Sequence, residues 1–413
     1  MSKVIIIGAG AAGIMAAVSS ALNGHTVSIY EKNDRIGRKL YITGKGRCNI
    51  TNAADMKTIM ENVVNNSKFL YSAFKQFDNQ DVVEMLENAG CPTKVERGNR
   101  VFPVSDKSSD VIKAFQKILS ELSVEVNLKA EVNSLIIEDS ICKGIKLADK
   151  SIYADAVIVA TGGRSYPGTG STGDGYRFAK NAGHKVGKLY PSLVPFTLEE
   201  KEEIKQLQGL SLKNVAVEIY DGDKNIYKDF GEMLFTHFGI SGPTLISASS
   251  YAVERIIDDK KKLRIVIDLK PALDNEKLDA RLLRDFESAK NKQLKNVLPE
   301  LLPLKLIPKV LRQADLKEDI KICNITRKER LKLLYALKNL SYTIDGVRGF
   351  EEAIITKGGV DVSDINPKTM ESRLITSLYF VGEVLDIDAL TGGYNLQVAW
   401  STGYVAGGNI EYV

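Results

Sequence analysis

The chain opens on a β-branched run, Val4 to Ile7, that breaks at Gly8 and passes into an alanine-rich stretch without strand periodicity. Such a run reads as a parallel strand buried on both faces, leading through a glycine turn into a helix. Thr26 to Tyr30 repeats the strand pattern after Gly24, and Val124 to Leu128, Leu135 to Ile137 and Asp155 to Ala160 add further strand candidates. Leu378 to Val381 is one more, closed by Gly382 and followed by a helix of small residues that begins near Gly393. Between about Tyr190 and Phe350 this rhythm stops. There Val215, Val217 and Ile219 alternate with other residues up to a turn at Asp221, and Leu263 to Leu269 is a strand candidate. Helical patterns follow over 275–297 and 327–339, with Pro299, Pro303 and Pro308 between them. The pattern predicts an α/β protein: a Rossmann-like dinucleotide-binding domain built from both chain ends and interrupted by an inserted β unit with a small helical subdomain. The expected boundaries are 1–190 and 353–413 for the outer domain, 191–272 and 333–352 for the β insert, and 273–332 for the helical part.

With 413 residues the chain has material for two or three hydrophobic cores. Lys and Arg total 56 against 52 for Asp and Glu, a near balance that calls for neither nucleic acid nor an anionic membrane, so a small-molecule substrate is the expected partner. Cys48, Cys91, Cys142 and Cys323 are far apart and form no Cys-x-x-Cys pair, which argues against a zinc site or a redox dithiol and for reduced, cytoplasmic thiols. No metal-ligand spacing stands out. The first apolar run is too short for a signal-peptide core or a membrane span, and no later run is long enough to cross a bilayer.

Gly8-Ala9-Gly10-Ala11-Ala12-Gly13 sits where a strand hands over to a helix, the context in which this glycine spacing binds a dinucleotide. Gly8 allows the tight turn, Gly10 lets backbone approach a pyrophosphate, and Gly13 lets helix and strand pack closely, with Ala12 in the same turn. Glu31, followed by Lys32, ends the second strand where an acid accepts hydrogen bonds from an adenosine ribose, and a carboxylate there favours a ribose without a 2′-phosphate. This unit leaves FAD and NAD both open. The C-terminal element favours FAD, held non-covalently: Glu383 would bond the ribitol, and the helix opening on Gly393, Tyr394, Asn395 and Leu396 would aim N–H groups and its positive end at a flavin.

The stretch Gly37 to Asn52, with Ala160 to Gly170, Phe235 to Pro243, Gly358 to Val360 and Gly382 to Gln397, resembles a bacterial flavoprotein family with aminoacetone-oxidase-like and bile-acid-reductase-like members. These segments span almost the whole chain. Residues 171–183 are also similar to a segment of the more distant succinate dehydrogenase and fumarate reductase flavoproteins. The resemblance implies an FAD domain interrupted by a small β-barrel and a helical bundle. It also implies an FAD-linked oxidoreductase acting on a small organic molecule, by reduction of an activated C=C bond or oxidation of an amine or C–C bond. In such a protein the loop Gly44 to Asn49 covers the cofactor, with Lys39, Arg47 and Asn49 as donors to phosphate or isoalloxazine. Gly37, Arg38, Thr43, Gly44, Cys48, Val132, Ala160, Thr161, Gly162, Gly163 and Gly382 complete the candidate cofactor contacts.

A flavin carries out hydride transfer itself, so few catalytic side chains are needed. His237, at a turn-to-helix transition, Arg348 and Tyr394 are the candidates to polarise a carbonyl or move a proton. Cys48 has no resolving partner and reads as a buried, inert thiol. No second glycine fingerprint is present, so NADH or NADPH would reduce the flavin only as a transient visitor, unless an organic substrate reduces it directly. The alternative is an FAD-containing nucleic-acid modifier or flavin-bearing binding protein whose insert contacts a macromolecule. That reading requires a basic face on the insert, whereas the enzyme reading requires an apolar pocket over the flavin.

Overall fold

Five short strands, Lys3–Ile7 (β1), Thr26–Glu31 (β2), Glu125–Leu128 (β3), Ala156–Val159 (β4) and Leu378–Phe380 (β5), form one parallel sheet in the order β5-β4-β1-β2-β3. In this computed structural model, which describes residues 1–411, the sheet belongs to a unit made of Met1–Ser192 and the chain from Phe350 onward; Leu193–Gly349 is a second unit. Val4 to Ile7 lie opposite Ala156 to Val159 on one side and Val27 to Tyr30 on the other, so the β-branched run is central and buried on both faces. The strand Ser134–Glu138 pairs instead with Ile141–Lys146 in a separate antiparallel sheet of three.

The helix that follows β1, Ala11–Leu22, is covered by the C-terminal helix Tyr394–Gly408. Their contact is set by glycine: a Cβ on Gly403 would lie 2.3 Å from the carbonyl oxygen of Ala12, and one on Gly407 would lie 2.4 Å from that of Ala16. Both pairs are four residues apart, so one face of each helix meets the other at backbone distance. The C-terminal helix is buried nearly all round, and its buried Gln397, Trp400, Ser401 and Thr402 are bonded within the protein. Gln397 accepts from the Thr51 hydroxyl and donates to Ser401, Ser401 donates to the Phe77 carbonyl, and the Trp400 indole donates to the Ile50 carbonyl.

The second unit holds a closed antiparallel barrel whose strands run in the order Phe196–Leu198, Gly239–Ser241, Lys224–Phe235, Ser211–Asp221, Leu263–Asp268 and Leu340–Val347. Val217, Ile219, Met233, Phe235, Ile265, Ile267 and Ile344 fill it, the inward half of the alternation seen in the sequence. The α/β architecture with an inserted barrel and helical part is as expected; two helical details are not. The pattern over 275–297 stops as a helix at Ser288, because the backbone beyond turns to pair with a later segment: Leu294 N donates to the Ile320 carbonyl and Ile322 N to that of Lys292. Helix Pro243–Ile257 escaped the pattern because its buried face is made of small residues, Ser247, Ala248, Ser249 and Ser250 among them. Helices Ile307–Ala314, with Pro308 in its first turn, and Arg327–Lys338, with a Thr326–Glu329 capping box, complete the helical part.

Gly403→Ala is expected to cost about 1–3 kcal/mol by overpacking the helix crossing, read as a lower Tm. Gly408→Ala in the same helix meets only side-chain atoms, the Ser19 hydroxyl at 3.2 Å and Asn23 Nδ2 at 3.7 Å, and is expected to be neutral or mildly stabilising. An equal loss in both variants would show that the crossing is not the cause.

Candidate functional site

The turn after β1 brings three backbone segments into contact. A Cβ on Gly8, whose φ is 102°, would come within 2.6 Å of the Ala160 carbonyl oxygen, and one on Gly13 would overlap the Gly8 carbonyl at 1.9 Å. Gly10 is different: nothing lies within 4 Å of where its Cβ would be, so the opening turn of the helix, with Ala12, presents N–H groups to open space. That is a cradle of the kind a pyrophosphate fills. Glu31 is turned onto this loop; one carboxylate oxygen accepts from Ala9 N at 2.8 Å and the other from Asn33 N and Nδ2 at 2.8 and 2.7 Å. Ala130 N bonds the Glu31 carbonyl, which draws the segment bearing buried Val132 alongside. Lys32 is paired with Asp174 at 2.6 Å. Arg38 donates to Asn33 Oδ1, just after the left-handed Gly37, whose φ is 64°.

A second cluster forms around Glu383. Its carboxylate accepts from Lys39 Nζ at 2.6 Å, from the Ser165 hydroxyl at 2.8 Å and from Thr356 N at 2.8 Å. The Thr356 hydroxyl in turn accepts from Arg164 N at 2.7 Å and Ser165 N at 3.1 Å. A Cβ on Gly163 would strike both Thr356 and Glu383, which is why the turn Ala160, Thr161, Gly162, Gly163 ends in glycine. The cluster thus ties the helix of Lys39 to β4, to the strand Ile355–Lys357 and to Gly382 after β5. Tyr176 donates to the Glu383 carbonyl, and complete burial raises its phenol well above the usual range. Ser165, Thr356 and Tyr176 were not read from the sequence as site residues; the signal available was their neighbourhood to the Thr-Gly-Gly and Gly358-Gly359 turns.

The loop after Thr43 is wound left-handed at Gly44, Lys45, Gly46 and Cys48. Arg47 leaves it to pair with Glu96 and Asp106 and to stack over Phe102 at 4.1 Å, so its charge is met by protein carboxylates. The Asn49 amide, oriented by its neighbours, donates to the carbonyls of Thr51 and Val101 and accepts from Gly393 N at 2.9 Å, holding the start of the C-terminal helix. A Cβ on Gly393 would sit 2.4 Å from the Thr51 carbonyl oxygen. Asn395 folds back to bond the backbone of Ala389 and Leu390, leaving Tyr394 and Leu396 at the helix start. Burial raises the Tyr394 phenol, and it pushes the fully enclosed Cys48 thiol up to about 12.

His237 and Arg348 belong to the second unit. His237 lies in the tight turn between Lys224–Phe235 and Gly239–Ser241, not at a helix start, because Thr236 closes that turn on Gly239. Its ring meets the edge of Phe238 at 4.9 Å, and the Arg348 guanidinium lies 4.6 Å from the same ring. His237 and Arg348 thus share one aromatic neighbour, Phe238.

A family model described as the HI0933-like protein Rossmann domain matches residues 2–409. The chain is 30% identical over 411 residues to a 3-dehydro-bile acid delta(4,6)-reductase of Clostridium scindens, covering 98% of each protein. It is 32% identical over 407 residues to a ribosomal RNA dihydrouridine synthase of Haemophilus influenzae, covering 98% of this chain and 97% of that one. A synthase of the same description from Escherichia coli is 30% identical over 402 residues, covering 97% and 96%. Among solved structures, the 3-ketosteroid delta1-dehydrogenase of Sterolibacterium denitrificans superimposes with a TM-score of 0.55 and 14% identity over 99% of both chains, a likeness of fold. The family match shows a Rossmann-type fold over nearly the whole chain. One expectation is corrected: a partner set without nucleic acid does not stand when relatives spanned from end to end act on ribosomal RNA. Near-neutral total charge was a poor guide because it averages over the chain. Among the described residues no helix is long and apolar enough to cross a membrane.

Two outcomes test this geometry. Thr356→Val should cost about 1–3 kcal/mol by stranding the N–H groups of Arg164 and Ser165, and Thr356→Ser should restore most of it. Of the four cysteines, Cys323 alone is exposed, so a disulfide reagent should modify one thiol per native chain, with Cys48 reacting only on unfolding.

Proposed function

Since the chain belongs to the HI0933-like family, we propose that it is an FAD-dependent reductase of carbon–carbon double bonds conjugated to a carbonyl. One observation carries the reading. Two kinds of relative, each spanned almost completely, bear names for a single chemical change: a delta(4,6)-reductase of a 3-keto bile acid and a dihydrouridine synthase both saturate a C=C bond in conjugation with C=O. Substrates as different as a steroid and a nucleobase then share the same reacting group.

The residues present fit FAD. The open cradle at Gly10 and the first turn of its helix would take the pyrophosphate, and Glu31 the adenosine ribose. Glu383, positioned by Lys39, Ser165 and Thr356, would meet the ribitol with its remaining lone pair. The start of the C-terminal helix, held by Asn49, would place Tyr394, Asn395 and Leu396 N–H groups and the positive helix end against the ring. Bound there, the flavin supplies the hydride, with NADH or NADPH as its transient source. The Tyr394 phenol, raised by burial, stays protonated at neutral pH and can give the proton that completes the reduction.

The test is an anaerobic absorbance spectrum of the FAD-loaded protein, first with NADH or NADPH and then with a 3-keto-Δ4 steroid or a uridine-containing RNA. Bleaching by a nicotinamide, followed by reoxidation and a saturated product, is expected. Tyr394→Phe should slow reoxidation by about 10²–10⁴-fold with FAD still bound. In the parent protein the step should be flat across neutral pH and fall only in alkali, because the raised phenol loses its proton only there. A flavin that ignores both nicotinamides but is bleached by amines would replace this reading with amine oxidation.

A further inference from the structure

Thirteen of residues 290–338 are Lys or Arg and five are Asp or Glu, although the whole chain nets only +4. The fold concentrates part of this charge. The segment after Lys290 runs beside the segment after Lys321, with Cys323 N bonded to the Lys290 carbonyl and Ile322 N to that of Lys292, so exposed Lys292 and Lys321 sit on adjoining segments of the chain. One short turn later begins helix Arg327–Lys338, with exposed Arg327 and Lys328 in its first turn. Among the described residues, Lys292, Lys321 and Lys328 make no ion pair. Cations at a helix start oppose the helix dipole, so Lys328 costs the fold stability where an acid would add it. A local rule broken without a structural gain points to a ligand.

The same helix carries Lys328, Leu331, Lys332 and Tyr335 along one face, bordering an open groove of about 390 Å³ whose far side is formed by Gln313 and Asp315. Asp315 is paired with Lys332 at 2.7 Å, which neutralises the acid in the groove. Tyr335 is 63% exposed and Leu331 43% exposed. An exposed aromatic ring on a helix face that also carries the unpaired Lys328 combines a stacking surface with a phosphate-attracting charge. A duplex keeps its base faces stacked on one another, so the ring suits an unpaired strand.

We propose that this part of the helical subdomain docks single-stranded RNA, with Tyr335 stacking on a base, Lys328 meeting a phosphate on the same helix face, and exposed Lys292 and Lys321 meeting phosphates where the strand runs on past the start of that helix. The proposal goes beyond the redox reading and does not depend on it.

The test is fluorescence anisotropy of the FAD-loaded protein with a labelled single-stranded RNA of about 16 nucleotides, at low and at physiological salt. Binding that weakens steeply with salt is expected. The double variant Lys292→Glu/Lys321→Glu should weaken it at least about tenfold and flatten the salt dependence. Tyr335→Ala should weaken it about tenfold at an unchanged salt slope. Lys328→Glu should weaken binding while leaving Tm unchanged or higher, since an acid suits that helix start; loss of binding there cannot be misfolding. Unaltered affinity in all three variants, or binding of anionic phospholipid vesicles but not of RNA, would overturn the proposal. Because flavin reduction is read separately by absorbance, either result leaves the reductase reading to stand or fall on its own.

Discussion

The crossing of the fingerprint helix and the C-terminal helix, backbone against backbone, is the constraint on which the first unit rests. Gly403 over Ala12 and Gly407 over Ala16 leave no room for a side chain between the two helices. From that contact the rest is fixed in turn. Gly382 N bonds the Thr402 hydroxyl of the C-terminal helix, and Gly382 itself lies against Ala12, so the strand before it is set in register at the sheet edge. Glu383 then falls beside Lys39, Ser165 and Thr356, and the opening of the C-terminal helix falls beside Asn49. The two candidate cofactor-facing helix ends are therefore positioned by one interaction, not independently.

Much of this was legible in the sequence because it is written in local signals. A β-branched run ending in spaced glycines can hardly be anything other than a buried strand entering a helix, and Glu31 follows at the expected place. The alternation at Val215, Val217 and Ile219 correctly announced an inserted β structure. What stayed hidden depends on partners distant in the chain. Thr356 looks ordinary until its hydroxyl is seen to accept two N–H groups from the turn after β4. Arg47 looks like an available cation until Glu96 and Asp106 are placed against it. The end of the helix at Ser288 is set by a backbone pairing with residues near Ile320, which no periodicity within 275–297 could reveal.

Charge shows the same distinction between sum and placement. A chain whose total is close to neutral can still hold a strongly basic segment, here residues 290–338, balanced by acid elsewhere. In the first unit charges are engaged: Lys32 with Asp174, Lys39 with Glu383, Arg47 with two carboxylates. Those pairs are half-buried and act as geometric ties more than as sources of stability, since ion pairs near solvent contribute little. The unpaired lysines of the helical subdomain fasten nothing, and that difference separates charge used for folding from charge left for recognition.

The interlocked chain ends also bear on the order of assembly. During synthesis the barrel unit is contiguous and has every strand it needs before the last 60 or so residues emerge. The parallel sheet at that moment lacks its edge strand, and the fingerprint helix lacks its cover. Its small residues, chosen to be crossed closely, then offer little surface of their own to hold them in place. The strand–glycine–helix unit, made before the barrel, is thus completed after it, and until then β4 stays at the sheet edge, an apolar strand waiting for β5.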